Sequence, residues 1–256
     1  MKKITAVLLA MCLLGGCHST AIPETKEKQP SAPQTPAEAP HTPAAPPQTP
    51  EPPAAEGLFG AYRGQARTVI AEMSTEDLAA QVCFVRYPEA AGLTAVLDAH
   101  PGGLLLFARD FEGLSAEKTQ QKIDACQRSS PFPLLIGADE EGGTVCRISA
   151  NPQLRAARFP SPQQLKAQGG LEAVKADAKE KAALLRGLGV NVNLAPVADV
   201  CDENAYMYPR TWGGSAAETA QYVGACVTAA EEAGLGCVVK HFPGYAAQDN
   251  THQKAA

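Results

Sequence analysis

The sequence predicts an α/β fold built on a parallel sheet of about five βα units. Three observations predict it. Short continuous apolar runs alternate with segments of helical period. Such runs suit parallel strands that are buried on both faces by helices. Glycines stand where a helix should hand over to a strand, and charged residues collect directly after the apolar runs.

The elements follow in order. Helical spacing runs from Gly60 to Glu72, and Ser74-Thr75-Glu76-Asp77 opens a second short helix with a capping pattern. Val82 to Val85 reads as a strand, Leu93 to Ala99 as a helix, and Gly103 to Phe107 as a buried strand. Ser115 starts a helix reaching about Arg128, and Pro133 to Gly137 is the next strand. A long helix spans Leu171 to Leu188, followed by a strand over Val190 to Leu194. The last pair is a helix from Ala217 to Ala233 and a strand over Cys237 to Val239. Arg186-Gly187-Leu188-Gly189 and Ala233-Gly234-Leu235-Gly236 each separate a helix from a strand, which fits left-handed helix caps. They do not fit a dinucleotide fingerprint, whose glycines follow a strand and open a helix. Five units suit either the first part of a (β/α)8 barrel or a short open doubly wound sheet, and periodicity does not choose between them.

The chain ahead of this domain has a different composition. Lys2 and Lys3 precede an apolar run from Ile4 to Leu14, too short to span a bilayer and typical of a signal peptide. It ends in Leu14-Gly15-Gly16-Cys17, which resembles the bacterial lipobox. Residues 1–16 are thus expected to be a signal segment, with Cys17 lipidated. The protein would then be exported and lipid-anchored to the outer face of the bacterial cell membrane. Residues 17–56 carry many prolines and almost no large apolar side chain, so they are expected to form a disordered, semi-extended tether. Residues 57–256 form the domain. The formal net charge of −5 argues against a nucleic-acid partner and against adhesion through a polybasic patch.

Beyond Cys12 and Cys17 the cysteines are Cys83, Cys126, Cys146, Cys201, Cys226 and Cys237. None forms a CxxC pair, so no metal site is expected, and their apolar settings predict six buried free thiols.

The chemistry gathers after three strands. Asp139-Glu140-Glu141-Gly142-Gly143 and Arg147 follow the third, Asp199 and Arg210 follow the fourth, and Lys240 and His241 follow the fifth. Carboxyl ends of parallel strands converge on a ligand site. Carboxylates and arginines suit sugar hydroxyls through bidentate hydrogen bonds. Asp199 is expected to be a strand-end cap, and Glu140 and Glu141 to act through backbone geometry and local hydrogen bonds. Lys240 and His241 are expected to meet a ligand rather than form a satisfied core pair.

In order, the segments LLIGADEEGGTVCRI, NLAPVADV, PRTWGG and VVKHFPGYAAQDNTH resemble the N-terminal barrel of glycoside hydrolase family 3, and its bacterial β-N-acetylhexosaminidase branch in particular. The resemblance covers about residues 60–256. It implies an incomplete (β/α)8 TIM-type barrel, hydrolysis of N-acetylhexosamine-containing glycans of the cell-wall type, and no cofactor. It further implies that Asp139, Arg147, Arg210, Lys240 and His241 grip the terminal sugar and that His252 is the general acid/base. Histidine suits that task because imidazole titrates near neutrality.

The family places an Asp two residues before the loop histidine. Here Asn250 stands there and Asp249 one residue earlier, so either is the candidate orienting partner; Ala246 also replaces a usual glycine. The family's nucleophile, an Asp after a later strand, and the last three barrel strands would lie beyond Ala256. The expectation is therefore that these 256 residues alone do not turn over glycosides efficiently. The alternative is a non-catalytic, membrane-tethered sugar-binding remnant.

Lipidation makes a direct prediction. In fractionated cells the wild type should sediment with membranes and Cys17→Ala should not. Equal recovery of both in the soluble fraction contradicts the anchor.

Overall fold

The computed structural model describes residues 60–245. The signal segment, Cys17, the tether, and Asp249, Asn250 and His252 lie outside the described residues. Helices α1 (Arg63–Glu72) and α2 (Thr75–Gln81) lead into β1 (Phe84–Arg86). Next come α3 (Leu93–Asp98), β2 (Gly103–Leu106), α4 (Ala108–Phe111), α5 (Ala116–Ser129) and β3 (Leu135–Ala138). The series ends with α6 (Pro162–Gly187), β4 (Val192–Asn193), α7 (Ala216–Glu232) and β5 (Gly236–Cys237). No described helix is long and apolar enough to cross a membrane.

The described strands form one parallel sheet in the order β1-β2-β3-β4-β5. This order settles what periodicity left open. A doubly wound sheet reverses direction at a switch point, whereas strands added one after another on the same side follow the winding of a barrel. The register aligns Phe84 with Gly103, Gly103 with Leu135, Gly137 with Val192, and Val192 with Gly236.

The two faces of the sheet differ. Leu104, Leu106, Ile136 and Ala138 are fully buried against Ile123, Ala182, Leu185 and Ala230 of the surrounding helices. Each leucine or isoleucine among them contributes about 1.5–3 kcal/mol by leaving water. On the other face Phe84 is 38% and Leu135 53% exposed. Burial on both faces, expected from the apolar runs, is therefore complete only on the helix side; on the second face Val192, aligned with Gly137, is buried while Phe84 and Leu135 are not. The Phe84 ring lies across the neighbouring strands, and Gly103 and Gly137 leave room for it. A Cβ at Gly137 would stand 2.5 Å from Phe84 Cζ and 2.7 Å from Leu194 Cδ1.

Local signals explain the helix starts. Ser74, Ser161 and Ser215 each form a capping box, with Asp77, Gln164 and Glu218 as the reciprocal partners. Ser115 caps α5 through Lys118 N. Gly189 and Gly234 take left-handed φ values of 90° and 76° just past α6 and α7, as the glycine pattern predicts.

Three expectations need correction. The first strand begins at Phe84, because Val82 still caps α2 and is 85% exposed. Helix α6 begins nine residues earlier than the periodicity implied; Gly170 breaks it, so the amphipathic pattern restarts at Leu171. The described cysteines are free, but only Cys126 and Cys146 are buried. Cys83 lies on an exposed helix-to-strand turn, and Cys201, Cys226 and Cys237 are half-buried.

The Phe84 contact is testable. Gly137→Ala should destabilise the domain by about 1–3 kcal/mol through overpacking, read as a lowered urea midpoint. Adding Phe84→Ala should cost less than the sum of the single changes. Strict additivity contradicts the contact.

Candidate active site

The loop after β3 is held from several directions before any side chain reaches the site. Asn193 on β4 accepts from Glu140 N at 3.0 Å and donates to Glu140 O at 3.1 Å. Asn191 does the same one step lower, accepting from Ile136 N at 2.7 Å and donating to Leu134 O at 3.1 Å. Two side-chain amides thus extend a short backbone pairing between β3 and β4. The Glu140 carboxylate is fully buried and accepts from Arg147 N, Ile148 N, Ser149 N and the Ser149 hydroxyl. This is the local hydrogen-bonding role expected of it, and it folds the segment that carries Arg147.

Glu141 does more than was expected. Its carboxylate, 2% exposed, takes a bidentate pair from Arg210, with Nε at 2.8 Å and Nη2 at 2.7 Å. Lys240 Nζ approaches the same carboxylate at 2.5 Å and Asp139 Oδ1 at 2.6 Å. Arg147 Nε lies 3.5 Å from Asp139 Oδ2, is itself buried, and has no hydrogen-bond acceptor. Its guanidinium faces the Phe107 ring, 5.3 Å from the centroid, at the end of β2. Burial weakens the charged form of Arg210, but the hydrogen bonds and charge of Glu141 outweigh that and hold its pKa above the usual arginine range.

Asp199 is also more than a cap on its own strand. Its side chain is 1% exposed and accepts from His241 Nδ1 at 2.6 Å, His241 N at 3.3 Å and Tyr245 N at 2.7 Å. The carboxylate places the ring proton on Nδ1 and leaves Nε2 turned toward Arg210 Nη2, 3.5 Å away. A cavity of about 190 Å³, lined by Asp199, His241 and Tyr245 among others, opens beside this pair.

Asp139, Arg147, Arg210, Lys240 and His241 therefore form one connected cluster beyond the carboxyl ends of β3, β4 and β5. The carboxylates of Glu141 and Asp199 lie beneath, while His241 and Arg147 are 25% and 29% exposed. The arrangement presents N–H donors and the Asp139 carboxylate to the open side, a set that matches vicinal hydroxyls. Glu141 and Asp199 are the members of the cluster that the sequence reading undervalued. The signal for Glu141 was charge balance: Arg147, Arg210 and Lys240 at adjoining strand ends need more than Asp139 to face them.

Asp199→Asn tests the lower layer. An amide has one acceptor atom where the carboxylate has two, so either Tyr245 N or His241 must meet a donor. The expected cost is about 1–3 kcal/mol, measured by urea denaturation. An unchanged midpoint contradicts the contacts.

Residues 74–256 match the glycosyl hydrolase family 3 N terminal domain. Among curated proteins, the chain is 31% identical over 180 residues to beta-hexosaminidase LpqI of Mycobacterium tuberculosis, covering 68% of this chain and 44% of that protein. The chain thus spans less than half the length of that relative. Among solved structures, a family 3 glycosyl hydrolase from Mycobacterium smegmatis is 29% identical with a TM-score of 0.59, over 69% of this chain and 53% of that one. A family 3 beta-N-acetylglucosaminidase from Paenibacillus is 26% identical with a TM-score of 0.62, over 70% and 35%. With the sheet order and the strand-end cluster on the same stretch of sequence, these matches show that the chain belongs to glycosyl hydrolase family 3 through its N-terminal barrel domain.

Proposed function

We propose that this chain binds a terminal β-N-acetylhexosamine and serves its removal from cell-wall-type glycans. The observation that carries the reading is the convergence of Asp139, Arg147, Arg210, Lys240 and His241, drawn from three loops, into one ion-paired cluster. Asp139 accepts from sugar hydroxyls, Lys240 and Arg147 donate, and His241 offers Nε2. The names of relatives, beta-hexosaminidase and beta-N-acetylglucosaminidase, support the choice of sugar.

In this reading His252 supplies the proton to the departing glycosidic oxygen and later activates water, with Asp249 or Asn250 orienting its ring. Asparagine orients an imidazole but does not stabilise its cation, so Asp249 is the better partner electrostatically. Cys17 carries the lipid, and residues 17–56 hold the domain away from the outer face of the membrane.

Titration calorimetry of N-acetylglucosamine against the full chain tests the site. Removing one partner of a charged hydrogen bond costs about 1.5–3 kcal/mol, so Asp139→Ala should weaken binding by about ten-fold or more. Equal affinity, or no binding by a folded wild type, contradicts the assignment.

A further inference from the structure

Beneath the strand-end cluster lies a buried ion pair that no part of the proposed chemistry uses. Lys181 and Asp177 sit one turn apart in the middle of α6, each with its side chain 8% exposed, and Lys181 Nζ meets Asp177 Oδ2 at 2.6 Å. The same ammonium donates to the backbone carbonyl of Glu141 at 3.0 Å and lies 5.2 Å from the centroid of the Phe159 ring. Glu141 is therefore fixed at both ends of its backbone, because its N–H donates to Val145 O at 3.0 Å.

Packing alone does not call for this pair. A buried ion pair loses hydration that its Coulomb attraction barely returns, and apolar replacements of similar volume often leave stability unchanged or raise it. Burial pushes the Asp177 carboxyl up, against the pull of Lys181, which is the mark of that desolvation. What the ammonium supplies and a methionine would not is a directed bond from a helix to one carbonyl. That carbonyl belongs to the residue whose carboxylate Arg210 and Lys240 share.

We propose that Lys181, held by Asp177, is a positioning residue for the sugar site. By gripping the Glu141 carbonyl it sets the height and direction of the Glu141 carboxylate, and through it the places of Arg210 and Lys240. Asp139 is then faced correctly by Lys240. The proposal rests on the sugar-binding reading given above. It extends that site from the strand ends to the interior of α6.

The test replaces the pair rather than breaking it, since Lys181→Met alone strands a buried carboxylate. Asp177→Leu with Lys181→Met is compared with wild type by thermal unfolding and by calorimetry with N-acetylglucosamine. The expected result is a melting temperature at or above that of wild type together with affinity weaker by about ten-fold. A purely structural role would move the melting temperature and spare the affinity. If this variant does not fold, Asp177→Asn with Lys181→Met takes its place with the same readings. A folded double variant that binds within about two-fold of wild type overturns the inference while leaving the sugar site intact. Failure of folded wild type to bind the sugar removes the sugar-site reading and this inference together.

Discussion

The Glu141 carboxylate, buried between the guanidinium of Arg210 and the ammonium of Lys240, is the interaction on which the strand-end site depends. None of the three groups is stable there alone. Removing one member of such a buried set typically costs about 3–5 kcal/mol, because it leaves a charge without water or partner. Arg210 reaches Glu141 across 69 positions of sequence, and Lys240 reaches Asp139 across 101. The contact therefore forms only when β3, β4 and β5 already lie side by side. In turn it ties the loop after β3 to the segments after β4 and β5, which a parallel bridge between Val197 and Lys240 already joins to each other.

The surrounding structure reads as support for that contact. Asn193 fixes the Glu140 peptide from β4, the Glu140 carboxylate folds the Arg147 segment, and Asp199 orients His241 and the backbone of Tyr245. Each is a buried polar group with its hydrogen bonds satisfied, which is the condition for polar groups to specify a geometry rather than destabilise a core. The charges beneath are shielded, and those above are only partly exposed. A ligand thus meets donors and one carboxylate that have already been oriented, so little ordering is left to oppose binding.

Much of this was legible in the sequence where the cause is local. Capping serines, the glycines past α6 and α7, and the runs Gly103–Leu106 and Leu135–Ala138 carry their own signals over a few residues. The five cluster residues were legible as types at strand ends. Sheet order was not, because a run such as Leu104-Leu105-Leu106 is the same in a barrel and in a doubly wound sheet. The roles of Glu141 and Asp199 were hidden for a similar reason: their partners are remote in sequence. The open face was hidden too, since Leu135 and Ile136 are equally apolar yet one is 53% exposed and the other 1%. The first turns of α6 carry a local signal in Ser161-Pro162-Gln163-Gln164 that the reading from Leu171 left out, because the helix breaks at Gly170 and its apolar period restarts there.

A crystal structure of the chain with N-acetylglucosamine tests the account most directly. The account predicts the sugar beyond the carboxyl ends of β3, β4 and β5, within hydrogen-bond distance of Asp139 and Lys240, with the Glu141–Arg210 pair intact beneath it. A sugar bound at another surface, or a Glu141 carboxylate parted from Arg210 in the complex, would contradict it.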